Sequence, residues 1–155
     1  MLRQLREVCC VASWAMLAVM TCSGNARDNG VIVKQIQETI AKVRTIKGPS
    51  IARAGAAEHL ADLTKGIDPR RVDDKTLADL VSLLAISDDS VQFWVAGSLG
   101  NLGPRARAAA PKLLEILPEA DCRNGALTSA PAIREALKRM GVTPPPRPNC
   151  NLIGG

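Results

Sequence analysis

The fold is decided by residues 88–103, DDSVQFWVAGSLGNLG. Asp88 stands where an N-cap carboxylate accepts hydrogen bonds from the first free amides of a helix, and Gly103 stands where a helix ends. Between them, apolar residues recur at steps of three and four, which is the period of one helical face. These residues are predicted to form the centre of the core: Val91, Trp94, Val95, Leu99 and Leu102.

Five further helices are predicted outward from this one, because the same periodicity returns between glycines, prolines and capping residues. The first is predicted over 30–46, and the second over 51–65 after the N-cap Ser50. The third carries residues 77–86 and follows a cap at Asp73 or Asp74. The fifth runs from 104 to about 117–118, and the sixth covers 129–141. The sequence has no Tyr, one Phe and two Trp, so its core is built from Ala, Leu, Ile and Val. Such content favours close-packed helices over a sheet, and the predicted class is all-α.

The six helices pair into three hairpins, and the hairpins repeat. Residues 98–103 (SLGNLG) align with residues 136–141 (ALKRMG) at a period of about 38 residues, and both segments end in glycine. The apolar pair of residues 60 and 63 precedes residues 99 and 102 by nearly the same interval. One hairpin cannot bury its apolar face alone, whereas three stacked hairpins bury a continuous core.

Residues 88–103 resemble the second helix of a HEAT repeat, and residues 106–117 resemble the first helix of the next. The chain is thus similar to the HEAT-like, armadillo-type family of helical repeats, best over 77–117 and weakly elsewhere. The resemblance implies a short α-solenoid of about three HEAT-like hairpins, with a ridged concave face that binds proteins. Gln92 replaces the Arg that the family carries at this place, and Arg53 occupies it in the earlier repeat, so a complete side-chain ladder between repeats is not expected.

The N-terminus has the three parts of a secretory signal peptide. Two arginines give it a positive start, and residues 8–20 are uncharged and mostly apolar. The small residues Gly24 and Ala26 suit the positions before a cleavage site. Cleavage is therefore predicted after Ala26, and residues 1–26 are assigned to the signal peptide.

Two alternatives for this segment stay open. One is a lipoprotein signal acylated at Cys22, although Thr21 stands where Gly, Ala or Ser is usual. The other is a retained membrane anchor, which needs about 20 apolar residues, more than this stretch supplies. After cleavage, the predicted organisation is a HEAT-like domain over 27–141 and a Pro-rich extended tail over 142–155, with no membrane span.

Cleavage would leave two of the five cysteines, Cys122 and Cys150. Two cysteines in an oxidising compartment most often pair, so a disulfide is predicted. It would close a loop of about 29 residues and stabilise the fold by about 3–4 kcal/mol in the chain-entropy picture. The alternative, a metal or redox pair, lacks both a CxxC spacing and a nearby His.

Little in the chain could carry catalysis. The only His, His59, has no acid at ligand spacing beyond Glu58 and Asp62. The two Asp-Asp pairs, at 73–74 and 88–89, stand directly before helices, where carboxylates cap amides. No Ser has a partner base, and no phosphate-binding glycine loop is present. The chain is therefore predicted not to be an enzyme and to use no cofactor and no metal.

The formal net charge is +5, but the basic residues are scattered among Asp and Glu. A nucleic-acid binder usually presents a clustered basic stripe, so no nucleic acid is expected as a partner. A preference for acidic partners stays open. The expected partner is an unidentified protein, bound by a monomer or a weak homo-oligomer.

Four residues are candidates for protein binding: Phe93, Gln92, Asp121 and Arg123. Phe93 lies about 100° round the helix from Trp94, so the two are expected not to share a pocket. Phe93 then either packs on a neighbouring hairpin or serves as an exposed anchor. Asp121 and Arg123 lie in a predicted loop, 119–128, which either caps the last hairpin or is presented to a partner.

These inferences favour an exported HEAT-like protein that acts as a protein–protein interaction module in the cell envelope, periplasmic or secreted. The alternative is a small envelope inhibitor or immunity-type protein whose loop blocks a toxin or hydrolase. An exposed Phe93 beside a concave apolar patch favours the first, and a projecting charged loop around 121–124 favours the second. A third hypothesis, an enzyme subunit, requires a cleft that joins His59 to Asp62 and another acid.

Overall fold

The structure is a computed structural model and describes residues 24–123 and 128–150. Three segments lie outside this range: residues 1–23, which are most of the predicted signal peptide, residues 124–127, and residues 151–155. The described residues contain no β-strand, which confirms the all-α class. The helices are α1 (Gly24–Thr45), α2 (Ile51–Lys65), α3 (Asp74–Ser82), α4 (Asp89–Leu102), α5 (Ala110–Cys122) and α6 (Ala130–Arg139), with 3-10 helices at Pro69–Arg71, Leu83–Ala85 and Gly103–Ala109.

Side-chain caps begin three helices where the sequence predicts them. The Ser50 hydroxyl and the carboxylates of Asp73 and Asp88 each accept hydrogen bonds from backbone amides two or three residues further on. These bonds satisfy amides that have no partner within the helix. At the other end of α4, Gly103 has a φ of 54°, in the region that favours glycine.

α5 is longer than predicted. The sequence places its end near Pro118, because proline has no amide hydrogen and clashes with the preceding turn. In the structure α5 continues through Pro118 to Cys122, so the first part of the predicted loop is helical. Tertiary contacts hold this last turn: Ala120 is buried, Asp121 forms an ion pair with Arg134, and Cys122 is cross-linked. They offset the hydrogen bond that Pro118 cannot make.

α1 begins at Gly24 among the described residues, earlier than the predicted start near residue 30. The predicted cleavage point after Ala26 thus falls in its first turn, and the cleavage itself stays a prediction. α2 covers the predicted span 51–65. Within residues 24–123 and 128–150, no helix combines the length and the apolar content needed to cross a bilayer.

The even-numbered helices form a row. α4 is central, with α2 packed on one side and α6 on the other. α1 packs against α2 and α3, and α5 packs against α6. Five of the six aligned apolar positions of the sequence repeat are buried in one core, and the sixth, Leu63, is partly buried against it. The five are Leu60, Leu99, Leu102, Leu137 and Met140. Each helix of the row therefore buries its apolar face against a neighbour rather than within its own hairpin alone.

The C-terminal tail lies back against α5 and α6. Residues 142–149 have no regular secondary structure. Cys150 is bonded to Cys122 at the end of α5, with α-carbons 5.2 Å apart, inside the usual range for a disulfide. The Arg134 guanidinium donates a hydrogen bond to the Pro145 carbonyl at 2.7 Å. The predicted cysteine pairing is confirmed, and the tail is held at two points.

Candidate functional site

A groove of about 260 Å³ runs over α4 between α2 and α6. We call it the aromatic groove, because Phe93 and Trp94 stand in its wall. Its other lining residues are Ala61, Lys65, Ala96, Gly97, Gly100, Asn101, Ala132, Glu135, Ala136 and Arg139. Most of the lining is apolar, and the polar side chains are gathered in the C-terminal halves of the three helices.

Phe93 and Trp94 lie side by side in the aromatic groove. Their ring centroids are 5.0 Å apart and their planes meet at 90°, an edge-to-face arrangement that aromatic pairs prefer. The expectation that they cannot share a pocket is wrong. A rotation of about 100° separates their Cα–Cβ bonds, but the rings extend well beyond the β-carbons and converge. Both side chains are half-buried, so Trp94 packs on the edge of the core and not at its centre.

Small residues form the floor of the aromatic groove. A methyl group at Gly97 would meet no atom within 4 Å, so the space above this residue is open. One turn further along α4, a methyl group at Gly100 would come within 3.2 Å of the Ala136 α-carbon. Gly100 therefore permits α4 and α6 to pack closely, whereas Gly97 keeps the groove deep.

Asn101 joins three helices at the polar end of the groove. Its side-chain nitrogen donates to the Ala61 carbonyl at 3.0 Å and to the Thr64 hydroxyl at 3.2 Å. Its side-chain oxygen accepts a hydrogen bond from Arg139 at 3.3 Å. Asn101 was not among the predicted site residues. The second half of α4 is apolar apart from Ser98 and Asn101. The Ser98 hydroxyl bonds within its own helix, so an amide side chain in this segment was the signal that could have identified Asn101.

Two cations border the polar end. Lys65 forms an ion pair with Asp62 at 2.7 Å, and Arg139 forms one with Glu135 at 2.9 Å, each within its own helix. All four side chains are more than half exposed. The hydrogen bond from Lys65 lowers the pKa of Asp62. Exposed intrahelical pairs contribute only about 0.3–0.5 kcal/mol, so both cations can turn to another anion at little cost.

Gln92, one of the predicted binding residues, is buried. Its side-chain nitrogen donates to the Leu84 carbonyl at 3.2 Å, and its oxygen accepts a hydrogen bond from the Ser129 hydroxyl at 3.4 Å. The prediction of a surface role therefore does not hold for Gln92. Its side chain joins the start of α4 to the 3-10 helix that precedes α4 and to Ser129, the residue before α6.

Asp121 and Arg123 are tied to side chains of the protein itself. The Asp121 carboxylate is 2% exposed and forms an ion pair with Arg134. Arg123 forms ion pairs with Glu119 and Asp89, and the hydrogen bond to Glu119 is the main cause of the raised pKa of Arg123. These contacts fix the end of α5, so neither residue projects as part of a charged loop. Residues 124–127 of the predicted loop lie outside the described residues.

His59 is exposed on α2 and lies outside the aromatic groove. It lines a separate depression together with Glu38 and Lys42 of α1. Asp62 is not part of that depression and is bound to Lys65. Across the part of the chain that the structure describes, no group of three His, Cys, Asp or Glu side chains is placed to hold a metal ion. The cleft required by the enzyme hypothesis is not formed by these residues.

The chain matches no protein-family model, no curated protein and no solved structure. The function is therefore argued from the geometry of the aromatic groove.

Proposed function

We propose that this chain is an exported protein-interaction module, built as a short α-solenoid of HEAT-like hairpins, and that the aromatic groove binds its partner. The observation that carries the proposal is the pair of Phe93 and Trp94, half-exposed in a mostly apolar groove. Large aromatic side chains dominate the binding energy of many protein interfaces. Contiguous apolar patches on soluble proteins often mark interaction sites.

The packing order of the helices supports a solenoid. Hydrogen bonds join residues about one repeat apart. The Asn101 side chain donates to the Ala61 backbone carbonyl, Arg139 donates to the Asn101 side chain, and the Ser129 hydroxyl donates to the Asp89 carboxylate, at separations of 40, 38 and 40 residues. In a solenoid each unit contacts its neighbours through the same surfaces, so contacts recur at the period of the repeat. This recurrence is the structural feature that the HEAT-like proposal requires.

The size and lining of the aromatic groove support the binding of a protein partner. Its volume is about 260 Å³, and most of its lining is apolar. A groove of this size accommodates a side chain of a protein partner. The charged side chains that line it, Lys65, Glu135 and Arg139, stand on its rim and are exposed.

Export is part of the proposal. The disulfide between Cys122 and Cys150 is a cross-link that persists in oxidising compartments, and a signal peptide over 1–26 would direct the chain to one. Protein purified from the envelope of cells that express the full chain should have the intact mass of a chain that begins at Arg27. A mass that includes acylated Cys22, or the whole signal segment, would contradict this cleavage.

Affinity capture tests the interaction. Envelope extract passed over immobilised protein, purified from cells that express the full chain, should yield one stoichiometric protein by mass spectrometry. Phe93→Ala removes a half-buried ring from the groove and should weaken capture by about tenfold or more. Ile51→Ala is the matched control, because Ile51 is 94% exposed and lies outside the groove.

The Ile51→Ala protein should capture the partner as well as the wild type does. Equal capture by the Phe93→Ala protein and the wild type would overturn the proposal. Recovery of no stoichiometric protein would also overturn it.

A further inference from the structure

The chemistry of the aromatic groove also specifies the form of its ligand, an inference that rests on the proposed function. We propose that the groove binds a short amphipathic α-helix of the partner, which carries a large apolar residue and, about two turns away, a carboxylate. The apolar residue packs against Phe93 and Trp94. The carboxylate meets Lys65 and Arg139 at the polar end.

A helix fits this groove better than an extended segment, because the groove cannot satisfy an exposed backbone. Asn101, the polar residue on the floor, already uses its nitrogen on Ala61 and Thr64 and its oxygen on Arg139. An extended segment would bury amides and carbonyls over an apolar floor, at about 1–3 kcal/mol for each group without a partner. A helix satisfies these groups internally and needs to match the groove only through its side chains.

The floor of the groove is shaped for a close approach to α4. At Gly97 no side chain stands between the α4 backbone and the open space of the groove. A glycine inside a helix costs about 0.5–1 kcal/mol relative to alanine. No atom of the described structure occupies the place of the missing methyl group. The close approach of a partner helix explains why a glycine stands at position 97 despite its lower helix propensity, because packed helices lie closest where their side chains are small.

The spacing of the two recognised groups follows from α4. Trp94 and Asn101 are seven residues apart on nearly the same face, which corresponds to about 10 Å along the helix axis. A ligand helix aligned with α4 therefore places positions about seven residues apart over the aromatic pair and over the two cations.

Charge favours an acidic group at the polar end. Two cations, Lys65 and Arg139, and one anion, Glu135, line this end. Lys65 is held by an exposed pair within its own helix, and Arg139 by such a pair and by its hydrogen bond to Asn101. A ligand carboxylate can replace the exposed pairs at little cost. The net charge of the full chain is +5, and it becomes +4 when Arg3, Arg6 and Glu7 are removed with the predicted signal peptide. This positive charge also attracts an acidic partner at long range.

A peptide display selection tests the inference. One arm of the library displays Ala-rich helical sequences with randomised positions, and the other displays Pro-containing extended sequences. Both are selected on protein purified from cells that express the full chain. We expect enrichment of helical sequences with Leu, Phe or Met at one position and Asp or Glu about seven residues away.

Three variants make the selection specific to the groove. Gly97→Leu fills the open space above α4 and should abolish the enrichment. Gly55→Leu is the matched control, because it places the same side chain at an open glycine of α2 outside the groove. The double variant Lys65→Gln/Arg139→Gln should keep the apolar preference and lose the acidic one.

Several outcomes would overturn the inference: enrichment of the extended arm, enrichment without an acidic residue, the same enrichment on Gly97→Leu protein, or no enrichment. This failure is distinguishable from failure of the proposed function. If capture of a protein partner depends on Phe93 while no acidic helix is selected, the interaction module stands and the assigned ligand is wrong. If capture does not depend on Phe93, both are wrong.

Discussion

A methyl group on Gly100 would lie 3.2 Å from the α-carbon of Ala136, so α4 and α6 pack almost backbone against backbone at this point. At Gly97, one turn earlier on α4, a methyl group would meet no atom within 4 Å. Two glycines of one helix therefore have opposite consequences. One brings neighbouring hairpins together, and the other keeps the aromatic groove open.

Substitution of the two glycines by alanine should change stability in opposite directions. Gly100→Ala should lower the free energy of unfolding by about 1–3 kcal/mol, because the added methyl group forces α6 away from α4. Gly97→Ala should raise it by about 0.5–1 kcal/mol, because alanine is the better helix former and meets no neighbour. Urea unfolding followed by circular dichroism measures both values. Effects of the same sign would contradict the packing at Ala136.

Removal of the Asn101 side chain should loosen the row of helices. Asn101→Ala loses hydrogen bonds to α2 and α6 and should lower the free energy of unfolding by about 1–2 kcal/mol. Amide hydrogen exchange near Thr64 and Arg139 should become faster in this variant. Gln35→Ala, on the exposed face of α1, is the control and should stay within about 0.5 kcal/mol of the wild type. A comparable loss in both variants would show that the bonds of Asn101 do not stabilise the fold.

The ion pair between Asp121 and Arg134 should be sensitive to the loss of one partner. Arg134 is 16% exposed, and its hydrogen bond with Asp121 raises its pKa. Asp121→Asn should cost about 3 kcal/mol, because it leaves a mostly buried guanidinium without a countercharge. The double variant Asp121→Asn/Arg134→Met should lose less than the sum of the single losses.

An exposed ion pair supplies the comparison. Lys75→Ala breaks the pair with Asp79, in which the lysine is 80% exposed, and should cost less than about 0.5 kcal/mol. Chemical denaturation of all the variants gives the coupling energy between Asp121 and Arg134. A purely additive double variant would show that the two charges are not coupled.

Loss of the disulfide should release the tail and lower stability. Cys122→Ser/Cys150→Ser removes a cross-link between residues 28 positions apart, and the chain-entropy model predicts a loss of about 3–4 kcal/mol. A thiol reductant should lower the melting temperature of the wild type to about that of the double variant and leave the melting temperature of the double variant unchanged. Free thiols at both positions in exported, unreduced protein would contradict the cross-link.

Stability should decrease in acid as two carboxylates become protonated. The hydrogen bond from the Thr76 amide lowers the pKa of Asp73, and hydrogen bonds from Lys75 and then Arg44 lower that of Asp79. A carboxyl group with a lowered pKa in the folded state stabilises the fold above its unfolded pKa of about 3.9. That contribution disappears as the pH falls through the folded pKa.

The variant Asp73→Asn isolates one of these groups, because asparagine keeps the helix cap but does not titrate in this range. The melting temperature of the variant should depend less steeply on pH below about 4 than that of the wild type. An identical slope in the two proteins would show that Asp73 does not contribute to the acid sensitivity.

The sequence by itself determined the all-α class, most helix ends and the pairing of Cys122 with Cys150. These features follow from short-range rules. A cap such as Ser50 or Asp88 acts on amides within three residues of itself, and helical periodicity is visible inside a single segment. The cysteine pairing followed from the number of cysteines alone, because only two of them lie outside the predicted signal peptide.

Only the tertiary structure decided the extension of α5, the burial of Gln92 and the shared groove of Phe93 and Trp94. The turn after Pro118 is held by residues elsewhere in the chain. Gln92 is buried because groups outside α4, the Leu84 carbonyl and the Ser129 hydroxyl, accept and donate its hydrogen bonds. The aromatic groove exists because α2 and α6 flank α4. Residues about 40 positions apart meet only when hairpins pack against each other. The spacing of apolar residues within one helix does not indicate which part of its surface a neighbouring helix will cover.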